Sequence, residues 1–260
     1  MSMLPVDKAE IYYETHGKGY PLILIAGLSC DLNLWLRIQE TLTKHFQLIL
    51  FDNRGVGRTH YQGPFNIDTM ANDVLALMNH LKIERAFVLG HSMGGAILQS
   101  LAARHPERLA KMIISHSLIQ FKPKARLALA HNLKLNEQNA PIKDQVEAKA
   151  PWIFSNAFLS KAENIESIIQ LNEGAAYPQS TQGYKDQIAA LLEFNSFEWF
   201  QSIKVPALVL AGIEDILAPA SENKILADGL HAQFHLMSGA HIPLFEEPEA
   251  YAELVRDFLS

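Results

Sequence analysis

Apolar positions along the chain follow two rhythms. Short unbroken runs, PLILIA (21–26), FQLILF (46–51), AFVLG (86–90), LAKMIIS (109–115) and PALVLAG (206–212), are bounded by Gly, Pro and Asp. A strand with one wet face alternates apolar and polar residues, so runs without alternation predict strands buried on both faces. Between them, apolar residues return every three or four positions, which predicts helices over 34–44, 68–81, 93–104, 221–230 and 249–259. Buried strand followed by helix, repeated, predicts an α/β fold with a mostly parallel sheet flanked by helices. Upstream, IYYETHGKGYP reads as a hairpin strand and turn feeding the first run.

The rhythm breaks between residues 118 and 202. No buried-strand run occurs there, and Lys, Asn, Gln and Ala surround scattered Trp, Phe and Leu. This stretch predicts a helical cap inserted into a core made of 1–117 and 203–260, since IKVPALVLAG resumes the sheet pattern afterwards. A helical excursion between two parallel strands lies over their carboxyl ends, where open α/β sheets bind ligands.

Composition narrows the function classes. With 22 basic and 28 acidic side chains, the formal charge of −6 argues against a nucleic-acid partner bound by phosphate neutralisation. Cys30 is the only cysteine, which excludes an intrachain disulfide and any CxxC metal or redox site and fits a reduced, cytoplasmic setting. The N-terminal MSMLPVDKAEIYYETHG lacks a basic segment followed by an apolar one, and no run approaches the ~18 apolar residues of a membrane span. A soluble, unprocessed chain with no membrane association is expected. Among eleven histidines there is no HExxH and no close pair with a third ligand, so no metal is expected; His16, His45, His60, His80, His105, His116, His131, His231 and His235 read as surface or loop residues.

The chemistry gathers at GHSMGG (90–95), which follows a buried strand and opens a helix. Gly-x-Ser-x-Gly in that setting predicts a sharp turn whose small neighbours leave the Ser92 hydroxyl exposed. A serine hydroxyl is a weak nucleophile and needs a histidine oriented by a carboxylate. Two later loops offer them. GIEDILAP places Asp215, with Glu214 as its rival, at the carboxyl end of the 206–212 strand, and GAHIPLFEEP places His241 between the last apolar run and the final helix.

Over nearly its full length the chain resembles the α/β-hydrolase superfamily, on GHSMGG, GIEDILAP, GAHIPLFEEP, DNRGVGRT (52–59) and HPERL (105–109). The resemblance implies the α/β-hydrolase fold, a Ser92, Asp215, His241 triad and no cofactor. It also implies an oxyanion hole from the backbone N–H groups of Leu28 and Met93. Here the chain departs from the family's usual His-Gly-x, carrying Ala26-Gly27-Leu28; because amides do the stabilising, the loss of the histidine leaves the expectation standing.

The expected function is a serine hydrolase of a small carboxylic ester. Trp152, Phe154 and Phe158 of PWIFSNAF are the candidate walls of an acyl pocket, although packing among cap helices explains them equally well. Two relatives of the same chemistry stand as alternatives: a 3-oxoadipate enol-lactonase acting on a lactone, and the biotin-pathway esterase that demethylates a pimeloyl chain on an acidic carrier protein. The basic cluster Lys122, Lys124, Arg126 and Lys134 keeps the second alternative open, against a reading as a solvated helix face. A ligand-sensing protein that retains the triad is the alternative from a different class.

Overall fold

In the computed structural model, which describes residues 2–260, each apolar run becomes a strand of one nine-stranded sheet. The strands are β1 (Ser2–Val6), β2 (Ala9–His16), β3 (Tyr20–Ile25), β4 (Phe46–Phe51), β5 (His60–Tyr61), β6 (Ala86–His91), β7 (Leu109–Ser115), β8 (Ala207–Gly212) and β9 (Gln233–Met237). Their order is β1-β2-β4-β3-β6-β7-β8-β9, with β5 paired to β2. From β4 across to β9 every pairing is parallel, whereas β1, β2 and β5 form an antiparallel margin. The strand expected in IYYETHGKGYP is β2, which forms its hairpin with β1 and pairs with β4 rather than with the β3 it feeds. The first strand of that hairpin, β1, is not apparent in the apolar pattern because it buries only Leu4.

Successive side chains of a strand point to opposite faces, and the central strands use both. Ile23, Ile25, Ile49, Phe51 and Val88 enter one hydrophobic cluster with α2 (Ile67–His80), α3 (Met93–Arg104) and α9 (Ala220–Leu230). Leu22, Leu24, Leu48, Leu50 and Leu89 enter a second with α1 (Leu36–Thr43) and α11 (Pro248–Leu259), beside the short α10 (Pro243–Glu246). Local chemistry sets the helix ends. Asn66 caps α2 by accepting from Thr69 N–H at 2.9 Å, and Pro248 opens α11, where its missing N–H costs nothing. The predicted 34–44 helix begins as a 3₁₀ turn over Leu32–Trp35 before α1.

Between β7 and β8 stand α4 (Pro123–Glu137), α5 (Ile142–Ile153), α6 (Asn156–Leu159), α7 (Ala162–Glu173) and α8 (Thr181–Glu193). The ends of this insertion meet: Gln120 bridges Asn195, and Ser196 N–H donates to the Ile119 carbonyl at 3.0 Å. Ala125 and Leu129 of α4 and Tyr184, Ile188 and Leu191 of α8 belong to the first core cluster. Val146, Ala150, Phe154, Ile168 and Ile169, from the α5–α7 half, form a small cluster of their own. Among the described residues no helix is long and apolar enough to cross a membrane.

Candidate active site

Ser92 stands between β6 and α3 at φ 54°, ψ −118°, a backbone conformation that costs a non-glycine residue about 1–3 kcal/mol. Its neighbours hold it there. Ser92 N–H donates to the Ser115 carbonyl at 2.9 Å, and the Ser92 carbonyl accepts from Gly95 N–H at 2.9 Å and from Ser117 Oγ at 2.7 Å. The flanking glycines are steric requirements. A Cβ on Gly90 would lie 2.2 Å from the Gly94 carbonyl oxygen, and one on Gly94 would lie 2.1 Å from that of Ile25, so only glycine lets α3 start so close to β3 and β6.

The carboxyl ends of β8 and β9 bring the other two residues in. His241 Nε2 lies 2.9 Å from Ser92 Oγ, and His241 Nδ1 lies 2.8 Å from Asp215 Oδ2. Asp215 is fixed through its other oxygen, which accepts from Leu217 N–H at 2.9 Å and Ala218 N–H at 2.7 Å. Its side chain is fully buried and that of His241 is 6% exposed. Glu214 turns away to the insertion, where it accepts from Asn156 N–H at 3.0 Å at the start of α6.

The residues after β3 form the facing wall. Gly27 packs against Ser92, Asn53 Nδ2 donates to the Ala26 carbonyl at 3.0 Å, and Ser29 N–H donates to Gln187 Oε1 of α8 at 3.0 Å. Leu28 N–H is not among these engaged groups, and Met93 N–H is the first of the unpaired donors that every helix start presents. Cys30 follows this loop. Desolvation pushes its thiol up to about 12, which removes it as a nucleophile near neutral pH.

A tight, largely enclosed cavity of about 10 Å³ adjoins Ser92 and His241 and is lined also by Ala96, His116, Ser117, Leu118, Phe121, Leu191, Phe194 and Leu217. Its apolar wall therefore comes from the two necks of the insertion and from α8. Trp152, Phe154 and Phe158, the residues suggested by the sequence, do not line it. Phe154 stacks on Phe158 at 4.4 Å and meets Phe245 edge-on, so these rings pack the α5–α7 half against the core. Their apolar character signalled burial; it carried no information on whether a ligand or a helix covers them.

Several neighbours of Ser92 and His241 have no motif. His116, expected at the surface or in a loop, lies in the loop after β7 but is fully buried against the site. Desolvation, opposed by the nearby Asp215 charge, holds its imidazole down at about 3; His91, equally buried, is held well below the ordinary histidine value for the same reason. Both rings are neutral at any physiological pH. Glu246 ties the histidine loop to the insertion by accepting from Ala240 N–H and Ser155 N–H, each at 3.2 Å, and from the Ser155 hydroxyl. His241 N–H itself donates to the Ile153 carbonyl of α5 at 3.1 Å. Among the described residues there is no group of three or more His, Cys, Asp or Glu side chains placed to hold a metal ion.

With this geometry in hand, comparison with known proteins gives consistent results. Residues 20–248 match the family model described as alpha/beta hydrolase fold. The chain is 31% identical over 264 residues to RutD of Caulobacter sp. strain K31, whose name assigns it, provisionally, carbamate hydrolysis, with 96% of each chain covered. The crystal structure of the enol-lactonase from Burkholderia xenovorans LB400 superposes with a TM-score of 0.88 at 27% identity, covering 99% of both chains. A thermophilic esterase from Thermogutta terrifontis superposes with a TM-score of 0.85 at 25% identity, covering 96% of this chain and 93% of its own. The chain belongs to the alpha/beta hydrolase family, and it is a hydrolase.

Proposed function

We infer that the protein cleaves small carboxylic esters through a covalent acyl-enzyme, with Ser92 as nucleophile, His241 as base and Asp215 as its orienter. The observation that carries this reading is the unbroken relay from Ser92 Oγ through His241 to Asp215, at 2.9 and 2.8 Å. As Ser92 Oγ attacks the carbonyl carbon, His241 Nε2 takes its proton, and Asp215 stabilises the imidazolium that forms. The developing oxyanion is received by the N–H groups of Leu28 and Met93, which cost no reorganisation because both backbones are already fixed. His241 then protonates the departing alcohol. Water enters, loses a proton to the same nitrogen, and releases the acid.

Ligand pockets commonly run from about 300 to 1,000 Å³, whereas the space beside Ser92 is closed down to about 10 Å³, so it must widen to admit even a short acyl arm and longer arms are disfavoured. Lactones and carbamates present the same electrophilic carbonyl, and the enol-lactonase and RutD likenesses make them the nearest alternatives. A panel of p-nitrophenyl esters from two to twelve acyl carbons, run beside an enol-lactone, an N-alkyl carbamate and a methyl ester, tests the reading. Rapid cycling on the shortest esters, falling steeply with chain length, is expected. Preference for the lactone or carbamate by more than about a hundredfold reassigns the substrate, and a single burst without cycling supports the ligand-sensing alternative.

A further inference from the structure

The cavity beside the triad is apolar except for four side chains, and three of these are already committed. Ser92 and His241 bond each other, and Ser117 Oγ donates to the Ser92 carbonyl. The fourth is His116. Its Nδ1 lies 2.9 Å from Ser115 Oγ, which is also 3.4 Å from His91 Nδ1, while its Nε2 is buried with no partner among the described residues. A buried polar atom left unpaired costs about 1–3 kcal/mol; of the six such side-chain atoms among the described residues, His116 Nε2 is the one whose residue lines the cavity. His116 also holds a left-handed backbone, φ 50°, which a histidine adopts at a cost. A partner at Nε2 removes the first of these two costs, and the second persists whatever binds.

We propose that His116 selects the substrate: the acyl arm that enters this cavity carries a hydroxyl or keto group that hydrogen-bonds His116 Nε2. The inference rests on the ester-hydrolase reading above. The acyl arm is the part concerned: the cavity, closed down to about 10 Å³, must widen to admit it, and an enclosed site suits the half that stays attached to Ser92, whereas the alcohol must leave before water enters. Distance limits its length. The His116 and His241 rings are 6.2 Å apart between centroids, and a reacting carbonyl carbon comes to about 3 Å from the nucleophile, so the polar group belongs two or three carbons along the arm. Charge limits its kind. A neutral imidazole among Leu118, Phe121, Leu191, Phe194 and Leu217 offers nothing to offset the desolvation of a carboxylate. In its neutral form Nε2 donates if Ser115 Oγ donates to Nδ1 and accepts if Ser115 Oγ accepts from it, and a hydroxyl satisfies both cases.

The test uses methyl esters that differ by one polar group: methyl 3-hydroxybutanoate against methyl 3-methylbutanoate, and methyl 4-oxopentanoate against methyl 4-methylpentanoate. Values of kcat/KM, each divided by the ester's own rate constant with hydroxide, are expected to favour the polar member of at least one pair by about tenfold. In His116→Leu that ratio should fall to near one, and His116→Gln, which keeps a neutral hydrogen-bonding end, should restore part of it. The ratio is the readout because a purely structural loss lowers both members of a pair together. Ratios within about threefold in both pairs for the unaltered protein overturn the proposal whether or not the leucine variant folds. So does a preference that survives His116→Leu. If the unaltered protein cleaves neither these esters nor p-nitrophenyl acetate, the ester reading has failed and this inference falls with it; turnover with flat ratios sinks this inference alone.

Discussion

The sheet and the insertion between β7 and β8 are built on different principles, although both reach the site. In the sheet, Leu22, Leu24, Leu48, Leu50, Val209 and Leu210 are fully buried, and two clusters of helices cover the faces. In the α5–α7 half of the insertion only Val146, Ala150, Phe154, Ile168 and Ile169 form a cluster, and polar ties join it to the core: Glu214 to Asn156, Glu246 to Ser155, and His241 N–H to the Ile153 carbonyl. The sheet supplies rigid carboxyl ends on which Ser92, Asp215 and His241 converge within hydrogen-bond distance. The insertion supplies an apolar wall through its necks and α8, which belong to the first core cluster, while its α5–α7 half adds these polar ties to the packing of Phe154 on Phe245. Catalytic geometry is thus expected to depend on the sheet, and access and selectivity on the insertion.

The largest expected effect tests the sheet side. Ser92→Ala should lower ester turnover by about 10⁴-fold or more with an unchanged circular dichroism spectrum, and His241→Ala should be nearly as damaging. The double variant should be little worse than either, because the two act in one step; multiplicative losses would break the assignment. Asp215→Ala should cost far more activity than Glu214→Ala. The Glu214 carboxylate caps α6 rather than facing His241, so its removal should show chiefly as a raised KM.

The same contrast explains what was readable in the chain. β8 was legible because all six of its residues are buried and its sequence, ALVLAG, has no polar interruption. Ser92 was legible because the close approach of α3 to β3 and β6 demands glycine at positions 90 and 94, a requirement that leaves a trace in the sequence. β1 was not, since an edge strand that buries one leucine has no apolar run. Nor was the pocket. Phe121, Leu191 and Phe194 reach it only because the neck at Gln120 and Asn195 closes, a contact between residues distant in sequence. Trp152, Phe154 and Phe158 looked equivalent to them locally, and tertiary packing alone separates the two sets. His116 misled for a related reason: a lone histidine after an apolar run carries no local sign of burial.

Stability should show the next largest difference. Leu210→Ala, in a fully buried strand covered on both faces, should cost about 2–5 kcal/mol in denaturant unfolding. Ile168→Ala, in the small α5–α7 cluster, should fall at or below the low end of that range, because a five-residue cluster on a polar-tied segment can relax or open locally. It should instead raise proteolytic nicking within 142–173 while the midpoint for global unfolding moves little. Equal losses at the two positions would mean that the insertion unfolds with the sheet as one unit.

Acid should act through the boundary between the two regions. His116 is held at about 3 in the folded protein against an ordinary 6.5, and His91 is displaced in the same direction, so between these values the unfolded chain binds more protons than the folded one. Stability therefore rises with pH from about 3 to 6.5 and is lost as pH falls through that window, with a slope of up to about 1.4 kcal/mol per pH unit for each such proton. His116→Asn, which suits the left-handed backbone and does not titrate, should flatten the slope by up to one proton. An unchanged acid limb would show that His116 gains a proton without unfolding.

The smallest effect is expected at the basic cluster on α4, the feature that keeps an acidic carrier protein in view as a partner. Two of its four cations have internal work: Lys122 pairs with Glu222 at 3.4 Å, and Arg126 donates to the Phe121 and Leu192 carbonyls at 3.3 and 3.0 Å, beside the neck of the insertion. Reversing those two would disturb the pocket wall itself, so only the exposed Lys124 and Lys134 give a clean test. Lys124→Glu with Lys134→Glu should leave p-nitrophenyl butyrate turnover within about twofold, since both side chains are exposed, where water and salt screen their charge, and the substrate is neutral. With a methyl ester carried on an acidic carrier protein, a docking role predicts a selective rise in KM that added salt reproduces in the unaltered enzyme. If the carrier-linked and small esters respond alike, the two lysines are a solvated face of the insertion, and that surface contributes to neither catalysis nor selectivity.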